Sequence, residues 1–343
     1  MPELRYNFVT GEWVIIATER AKRPEDFAPR DGRKTLPAHV PTCPFCPGNE
    51  SQTPPELFRI PRRGALGPGG PVSDWQVRVV PNKFPALDAQ AELSRKTEGL
   101  KRHVSGAGLH EVIIETPEHN RTLALLDEPE IELVVQAYYR RYEAITSDPR
   151  IAHATLFRNH GERAGTSLEH PHAQIVGTPI MPPQVRSRME NALRFYDETG
   201  ECLNCSVLAQ ELHDRDRIVA QSEHFVAFVP YAALTPFHIW MFPLRHIASF
   251  LETGPEELAD FARLLRQVLR KLYFGLEDPD YNLTLRAPPR EASGLKYFHW
   301  YAGIIPRLTR TAGFELGSGM FINTTLPEQC AAFLRDTPAN APS

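Results

Sequence analysis

Two closely spaced histidines are the residues in this chain most able to do chemistry. His170 and His172 occur in the run EHPHAQI, with Gln174 two positions further on. Successive side chains on a strand alternate between faces, so these three side chains point to the same side. A neutral imidazole is a nucleophile near pH 7, and its attack on phosphorus forms a phosphoramidate that a second phosphate can displace. The spacing therefore indicates reversible group transfer between two phosphates.

The alternative is that His170 and His172 are ordinary half-buried strand residues. The preceding loop, RNHGERAGTSLE, favours the chemical interpretation, because its backbone amides and hydroxyls can surround phosphate oxygens. The loop residues proposed for this role are Asn159, Gly161, Gly165, Thr166 and Ser167. Arg20, Lys22 and Arg23 in ERAKRP are candidate cationic phosphate ligands, with a merely solvated basic cluster as the alternative.

Four of the five cysteines form two C-x-x-C pairs, Cys43/Cys46 and Cys202/Cys205, and Cys330 stands alone. In a reducing compartment such pairs indicate metal ligands or redox dithiols before disulfides. A redox pair requires a thioredoxin-like βαβ setting, whereas CPFCPGNESQTPP is rich in turn formers. Metal binding is therefore the favoured interpretation, and Cys330 is predicted to be a small buried hydrophobic residue on a helix.

Composition narrows the class of protein. A chain of 343 residues with 42% hydrophobic content can form two compact units with cores of their own. The net charge of -4 comes from well-mixed charges without a basic stripe, which argues against nucleic acid as a partner. No apolar run approaches eighteen residues, and the N-terminus lacks the features of a signal peptide. We expect a cytoplasmic protein with no membrane partner.

The two halves of the chain carry the same order of parts. Each has a C-x-x-C pair, strand-like segments, one long helix (129–146 and 255–274) that ends at an Asp-Pro, and then two strands around a polar loop. From Asp148 to His170 is 22 residues, and from Asp278 to His299 is 21. The match indicates a duplication with halves 1–185 and 195–335, joined by a helix over 182–200. Grouped strands around one helix predict an α+β fold, each half an antiparallel sheet with packed helices.

The run N-x-G-x-x-A-G-T-S-L-x-H-P-H-A-Q, together with RAKRP and VVPNKFPAL, resembles the galactose-1-phosphate uridylyltransferase branch of the histidine-triad superfamily over nearly the whole chain. The resemblance implies two tandem histidine-triad-like half-domains. It makes His172 the nucleophile that becomes uridylylated, with its tautomer fixed by the carbonyl of His170. It also implies a zinc site formed by Cys43, Cys46, His110 and His170. Two thiolates and two imidazoles are a common structural zinc shell with no open position.

The resemblance implies further site residues. It assigns phosphate or nucleotide binding to nine residues spread along the chain: Arg20, Arg23, Asn82, Asn159, Gly165, Ser167, Gln174, Phe314 and Gly317. In the second half the repeat places a second zinc site at Cys202, Cys205, His246 and His299. Tyr301 stands where the nucleophile would be, so this half is expected to be catalytically silent. The bland alternative is that Cys202 and Cys205 are turn residues without metal.

Four functions are compatible with these residues. The leading one is transfer of uridylyl from UDP-glucose to a hexose 1-phosphate such as galactose 1-phosphate, by a ping-pong mechanism through nucleotidyl-histidine. AGFELGSGMFINTTLPE and the second C-x-x-C resemble more closely a branch that includes ADP-glucose phosphorylases, which move adenylyl to inorganic phosphate. A third is a nucleotide hydrolase, and the fourth is a zinc-stabilised nucleotide-binding protein without catalysis. The family resemblance also implies a homodimer.

Overall fold

A ten-stranded sheet forms the centre of the protein. The computed structural model describes residues 1–17, 27, 35–62, 73–289 and 294–339. All neighbouring strands of this sheet are antiparallel. Their spatial order is β10 (Ile218–Gln221), β11 (Phe225–Phe228), β12 (Ile239–Pro243), β14 (Tyr301–Pro306), β13 (Tyr281–Arg286), β8 (His153–His160), β9 (His172–Thr178), β7 (Leu109–Ile114), β4 (Trp75–Pro81) and β3 (Phe58–Pro61). The predicted α+β class is confirmed.

The two halves share this one sheet instead of forming separate sheets. β8 of the first half pairs with β13 of the second, with Tyr281 opposite His160 and Thr284 opposite Phe157. Each of these strands would otherwise be an edge with unpaired backbone groups, and pairing them removes both edges. A smaller three-stranded sheet also mixes the ends of the chain, because β15 (Phe321–Asn323) lies beside β2 (Glu12–Ile16), which pairs with β1 (Glu3–Asn7).

Helices cover both faces of the large sheet. On one face, α1 (Glu128–Thr146), α4 (Pro255–Gly275) and α6 (Pro327–Asp336) pack on a core that includes Ala173 and Ile175 of β9. On the other, α2 (Pro183–Thr199) and α3 (Leu203–Asp214) pack on Trp240 and Phe242 of β12. The predicted helices over 129–146, 182–200 and 255–274 therefore match α1, α2 and α4. The remaining elements are a ribbon of β5 (Arg95–Glu98) and β6 (Lys101–Val104), and the short α5 (Gly313–Ser318).

Capping explains where the first long helix begins. The Glu130 side chain accepts a hydrogen bond from the Asp127 backbone N–H at 2.8 Å, and Pro129 lies in the first turn, where its missing N–H costs nothing. The buried residues of α1 recur with helical spacing, from Ile131 to Ile145. That stripe holds α1 against Ala173 and Ile175, so the alternating residues His172 and Gln174 project from the opposite face of the sheet.

Candidate active site and metal clusters

His172 is the first residue of β9, and its ring orientation is fixed by the backbone before it. The His172 Nδ1 atom lies 2.8 Å from the His170 carbonyl oxygen. A carbonyl can only accept, so Nδ1 carries the proton and Nε2 keeps its lone pair. No hydrogen-bond partner for Nε2 occurs in the part of the chain that the structure describes. The geometry therefore leaves one imidazole nitrogen available as a nucleophile, as the sequence predicted.

Burial keeps this imidazole neutral. His172 is 6% exposed, and the Phe45 ring of the first C-x-x-C loop packs edge-on against it at 5.4 Å between centroids. Burial lowers the pKa of His172 from its usual value, and the hydrogen bond to His170 opposes this shift only in part. The neutral, nucleophilic form is thus the dominant one near pH 7. Phe45 was not among the predicted site residues, although it lies between the two cysteines.

His110 orients Gln174, next to His172 on the same face. The Ala86 backbone N–H donates to His110 Nδ1 at 3.2 Å, so His110 Nε2 carries the proton and donates to Gln174 Oε1 at 2.8 Å. Asn82 Nδ2 lies 3.4 Å from the same oxygen. With Oε1 occupied, the amide nitrogen of Gln174 is left as a donor toward the open face. The structure brings Asn82, His110 and Gln174 together, and a cavity of about 510 Å³ opens beside Asn82 and His110.

The loop between β8 and β9 is the proposed phosphate cradle. Gly161 and Gly165 both have positive φ, 83° and 89°, a conformation that favours glycine. A side chain at Gly161 would also collide with Asp280, because its Cβ would lie 1.9 Å from the carboxylate oxygen. Asn159 Oδ1 accepts from Asn282 Nδ2 at 2.8 Å, and Ser167 is exposed. The second half of the chain thus supports this loop.

Four buried side chains form the first candidate metal cluster: Cys43, Cys46, His119 and His170. Their ligand atoms all lie within 4.8 Å of one another, and Cys46 Sγ is 3.5 Å from His119 Nδ1 and 3.6 Å from His170 Nδ1. The assignment of His110 to this cluster is wrong. Both ring nitrogens of His110 are engaged elsewhere, with Ala86 and Gln174, and His119 takes the fourth position.

The internal repeat contains the signal that identifies His119. In the second half, the metal-cluster histidine His246 follows the end of β12 by three residues. His119 follows the end of the corresponding β7 by five residues, whereas His110 lies inside that strand. When the two halves are aligned at the ends of β7 and β12, His119 and not His110 takes the position of His246.

The second candidate metal cluster lies in the other half of the chain. Cys202, Cys205 and His246 place their ligand atoms within 4.8 Å of one another. His299 is buried beside them, with Nδ1 3.4 Å from Cys205 Sγ, although it is not in mutual contact with all three. His246 Nε2 donates to the Leu295 carbonyl at 2.9 Å, which directs Nδ1 to the cysteines.

Tyr301 occupies the nucleophile's place in the second half, at the start of β14. Its ring stacks on Phe242 at 4.6 Å and an angle of 5°. It is 1% exposed, so its side chain belongs to the apolar core beneath α2 and α3. This packing agrees with the prediction that the second half lacks a nucleophile.

A buried ion pair lies beside β9, and the sequence did not reveal it. Arg158 Nε donates to the Glu115 carboxylate at 2.9 Å, and both side chains are at most 1% exposed. The Tyr138 hydroxyl donates to Glu115, and Arg158 donates to the Tyr281 hydroxyl at 3.0 Å. The Glu115 backbone N–H donates to the Pro171 carbonyl at 3.1 Å, so the network reaches the residue between His170 and His172.

Comparison with known proteins shows the family to which the chain belongs. Two family models match the chain: galactose-1-phosphate uridyl transferase, N-terminal domain, over residues 73–182, and galactose-1-phosphate uridyl transferase, C-terminal domain, over residues 188–335. Together they span well over half of the sequence. The chain belongs to the galactose-1-phosphate uridyl transferase family.

Full-length relatives of the galactose-1-phosphate uridyl transferase family carry two different names. An ADP-glucose phosphorylase of Arabidopsis thaliana is 35% identical over 339 residues, 98% of this chain and 93% of that protein. A galactose-1-phosphate uridylyltransferase of Thermotoga maritima is 29% identical over 346 residues, 98% of this chain and 99% of that protein. A solved ADP-glucose phosphorylase of Arabidopsis thaliana with bound ADP-glucose has a TM-score of 0.81 at 33% identity, covering 98% and 99% of the two chains.

The structure does not show four of the residues that the family resemblance implied in contact with His172. Arg20 and Arg23 lie outside the described residues. Phe314 and Gly317 lie on α5, which packs on β15, and Phe314 is 47% exposed. No hydrogen bond or ring contact links these two to His172 within the described ranges. A cavity of about 760 Å³ lies between α1 and α4 on the other face of the sheet. None of the described helices is long and apolar enough to cross a membrane.

Proposed function

We propose that this protein is a nucleotidyltransferase that carries the nucleotidyl group on His172. The observation that supports this most directly is the 2.8 Å hydrogen bond from His172 Nδ1 to the His170 carbonyl, which leaves Nε2 unprotonated. In the first step, the Nε2 lone pair bonds to the α-phosphorus, and the bond from phosphorus to the bridging oxygen breaks. The sugar phosphate leaves with that electron pair.

The second step reverses the first with a different phosphate. An oxygen of the acceptor phosphate bonds to phosphorus, and the P–N bond breaks and returns its electron pair to Nε2. The His170 carbonyl stabilises the positive charge that the imidazole carries in the intermediate, because it accepts the Nδ1–H bond throughout. The Gln174 amide, held by His110, donates to the phosphate oxygens where charge develops. The polar loop with Asn159, Gly165 and Ser167 holds the nucleotide.

The substrates we propose are UDP-glucose and a hexose 1-phosphate, with galactose 1-phosphate as the acceptor. The full-length match to galactose-1-phosphate uridylyltransferases supports this choice. The second candidate is phosphorolysis of ADP-glucose, with adenylyl moved to inorganic phosphate. Support for it comes from the 35% identity to an ADP-glucose phosphorylase and from the segment AGFELGSGMFINTTLPE, which resembles the branch with ADP-glucose phosphorylases more closely. Both reactions use the same nucleophile.

We also propose that the two metal clusters bind zinc. Tetrahedral zinc with bonds of about 2.3 Å to sulfur and about 2.0 Å to nitrogen gives S···N edges of about 3.5 Å. The first cluster has such edges at 3.5, 3.6 and 3.8 Å, and the second at 3.2 and 3.4 Å. Burial raises the pKa of Cys46 to about 11, so a cation is needed to hold this thiolate near neutral pH. The zinc ions would hold the loops around β9 and β14 in place.

We also propose that the protein is a homodimer and lies in the cytoplasm. Exposed apolar side chains gather on the β1–β2 hairpin, where Tyr6 contacts Phe8 and Trp13 at 5.0 and 5.1 Å between ring centroids. Phe314 and Leu316 are exposed on α5. Such apolar surface supports association with a second copy, and light scattering on the purified protein tests it. The five free cysteines favour a reducing compartment.

Intact mass after brief incubation with a nucleotide sugar tests the covalent step. The purified protein is incubated with UDP-glucose or with ADP-glucose and quenched in alkali, because phosphoramidates are labile to acid. We expect a gain of one uridylyl group that is absent in His172→Gly and present in His103→Gly, a control on the exposed strand β6. A gain of adenylyl only would establish the phosphorolysis candidate.

Three further outcomes would contradict the proposal. Nucleotide binding without any covalent gain would establish a binding protein without catalysis. Release of free UMP or AMP at the full turnover rate without a phosphate acceptor would establish a hydrolase. Normal turnover in His172→Gly would refute the role of His172 itself.

A further inference from the structure

Two arginines and a histidine lie together in the second half of the chain, away from His172. Arg286 ends β13, Arg188 lies on α2, and His238 precedes β12. The charges of Arg188 and Arg286 act on each other and on His238. Among the described residues, no carboxylate is within ion-pair distance of either arginine; Glu12 acts on Arg286 only from further away. The cluster therefore has positive charge without a bound counter-charge.

The same place contains buried polar atoms without hydrogen-bond partners. His238 is 4% exposed, and its Nε2 accepts from Trp240 Nε1 at 3.1 Å, so Nδ1 carries a proton that no described acceptor takes. Arg188 Nε and Thr284 Oγ1 are also buried and unpartnered. Buried donors are almost always satisfied in folded proteins, so several at one place indicate a missing acceptor.

Gly303 on β14 provides room at this cluster. A Cβ built there would lie 3.7 Å from Thr284 Oγ1, 3.9 Å from Trp240 Cδ1 and 4.0 Å from Arg286 Nε. Its backbone does not have the positive φ that would by itself favour glycine. A Cβ would thus be in ordinary van der Waals contact with a hydroxyl, an indole and a guanidinium, so Gly303 leaves room for about one methyl group among them.

The cluster also occupies the repeat equivalent of the catalytic site. Arg286 pairs with Tyr301 across β13 and β14, and the register of β8 and β9 places Asn159 opposite His172 in the same way. Arg286 and Thr284 lie on β13, which is separated from β9 by β8, two strand spacings or about 10 Å. The phosphates of one diphosphate share a bridging oxygen, so a single diphosphate cannot occupy both places.

We propose that Arg188, Arg286, His238 and Thr284 form a second, non-covalent site for the phosphate group of a small molecule, either inorganic phosphate or a phosphate monoester. Two guanidinium groups balance the two negative charges of such a group and match its oxygens in geometry, whereas a carboxylate offers one charge. Burial and Arg188 lower the pKa of Arg286 to about 10, so its guanidinium remains protonated near neutral pH. This site does not depend on the function proposed for His172.

Phosphate binding to the full-length, zinc-loaded protein tests this site. Calorimetric titration with inorganic phosphate is compared among wild type, Arg286→Gln, Arg188→Gln and Arg186→Gln, the last an exposed arginine on the same helix. Loss of a hydrogen bond to a charged group weakens affinity by about 10- to 100-fold, so we expect that loss in Arg286→Gln and Arg188→Gln. Arg186→Gln should stay within about twofold of wild type, and Arg286→Lys should recover part of the affinity.

Thermal stability without phosphate provides an independent measurement. Removal of one of two facing positive charges should raise the melting temperature of Arg286→Gln above that of wild type and abolish the further rise that phosphate causes. Competition by glucose 1-phosphate at equal affinity would identify a monoester as the ligand, and selective binding of inorganic phosphate would identify phosphate itself. Unchanged phosphate affinity in both glutamine variants, or no binding by wild type, would overturn the proposal.

Discussion

Replacing Arg158 with methionine tests how the buried ion pair beside β9 stabilises the fold. Arg158 gives Glu115 hydrogen bonds at 2.9 and 3.2 Å and gives the Tyr281 hydroxyl one at 3.0 Å. Burial acts to lower the pKa of Arg158, but the Glu115 carboxylate and the Tyr281 and Tyr138 hydroxyls together outweigh burial and raise it. In Arg158→Met, the hydrogen bond from Tyr138 would be the only one left to the Glu115 carboxylate among the described residues, while the carboxylate remained fully buried.

We expect Arg158→Met to lose about 3–5 kcal/mol of unfolding free energy, because an uncompensated charge stays in the interior. Adding Glu115→Gln to this variant removes the charge and keeps an oxygen to accept from Tyr138. The double variant should therefore regain about 2 kcal/mol. Urea denaturation at fixed zinc concentration, followed by fluorescence of the four tryptophans, measures these differences.

A surface pair provides the matched control. Arg140 lies 3.7 Å from Glu143, with both side chains at least half exposed. Arg140→Met should therefore change stability by less than about 1 kcal/mol. If Arg158→Met fell within the same range, or if the double variant were less stable than Arg158→Met, the charge-burial argument would be refuted.

Metal analysis should separate two histidines: His119→Ala loses bound zinc and stability, whereas His110→Ala keeps zinc and slows transfer about 10- to 100-fold because Gln174 loses its orientation. Cys205→Ser should lose the second zinc alone, while brief incubation with nucleotide sugar still adds mass at His172. Burial lowers the pKa of His153 from 6.5 to about 4, so the stability gained by burying this histidine in its neutral form is complete above pH 6.5 and is lost as the pH falls to about 4. Urea denaturation should show that the unfolding free energy falls over this pH range by up to about 3 kcal/mol less in His153→Gln than in wild type.

Each of these expectations has a result that contradicts it. Zinc loss in His110→Ala together with zinc retention in His119→Ala would reverse the ligand assignment. Loss of the covalent mass gain in Cys205→Ser would mean that the second metal shapes the catalytic site. An unchanged pH dependence in His153→Gln would show that this histidine is not what weakens the fold in acid.

The elements were predictable where local patterns suffice. The apolar spacing of α1 and α4 and the Asp-Pro ends marked both long helices, and H-P-H with its alternating Gln174 identified β9 and the face from which His172 projects. These are properties of short segments, and the structure agrees with them. The duplicated order also predicted two similar halves, 1–185 and 195–335, and that division stays a prediction.

Features that depend on distant residues were not predictable in this way. The pairing of β8 with β13 joins strands more than one hundred residues apart, and nothing in either strand specifies its partner. The Glu115–Arg158 pair is a charge pair inside the core, which sequence patterns do not favour. His110 was misassigned because a strand position and a loop position, His119, are close in sequence and both precede α1.

The pairing of β8 with β13, the seam between the two halves, limits which parts of the chain can be removed. The first half contains His172, yet its strand β8 pairs with β13 of the second half, and Asn282 and Tyr281 of the second half form hydrogen bonds with Asn159 and Arg158. Deleting the second half would expose β8 as an unpaired strand beside the loop with Gly161 and Gly165. Two separately expressed halves, cut after Gly200, should instead reassemble through this seam. The half that has Tyr301 at the position of His172 thus completes the sheet of the half that has His172.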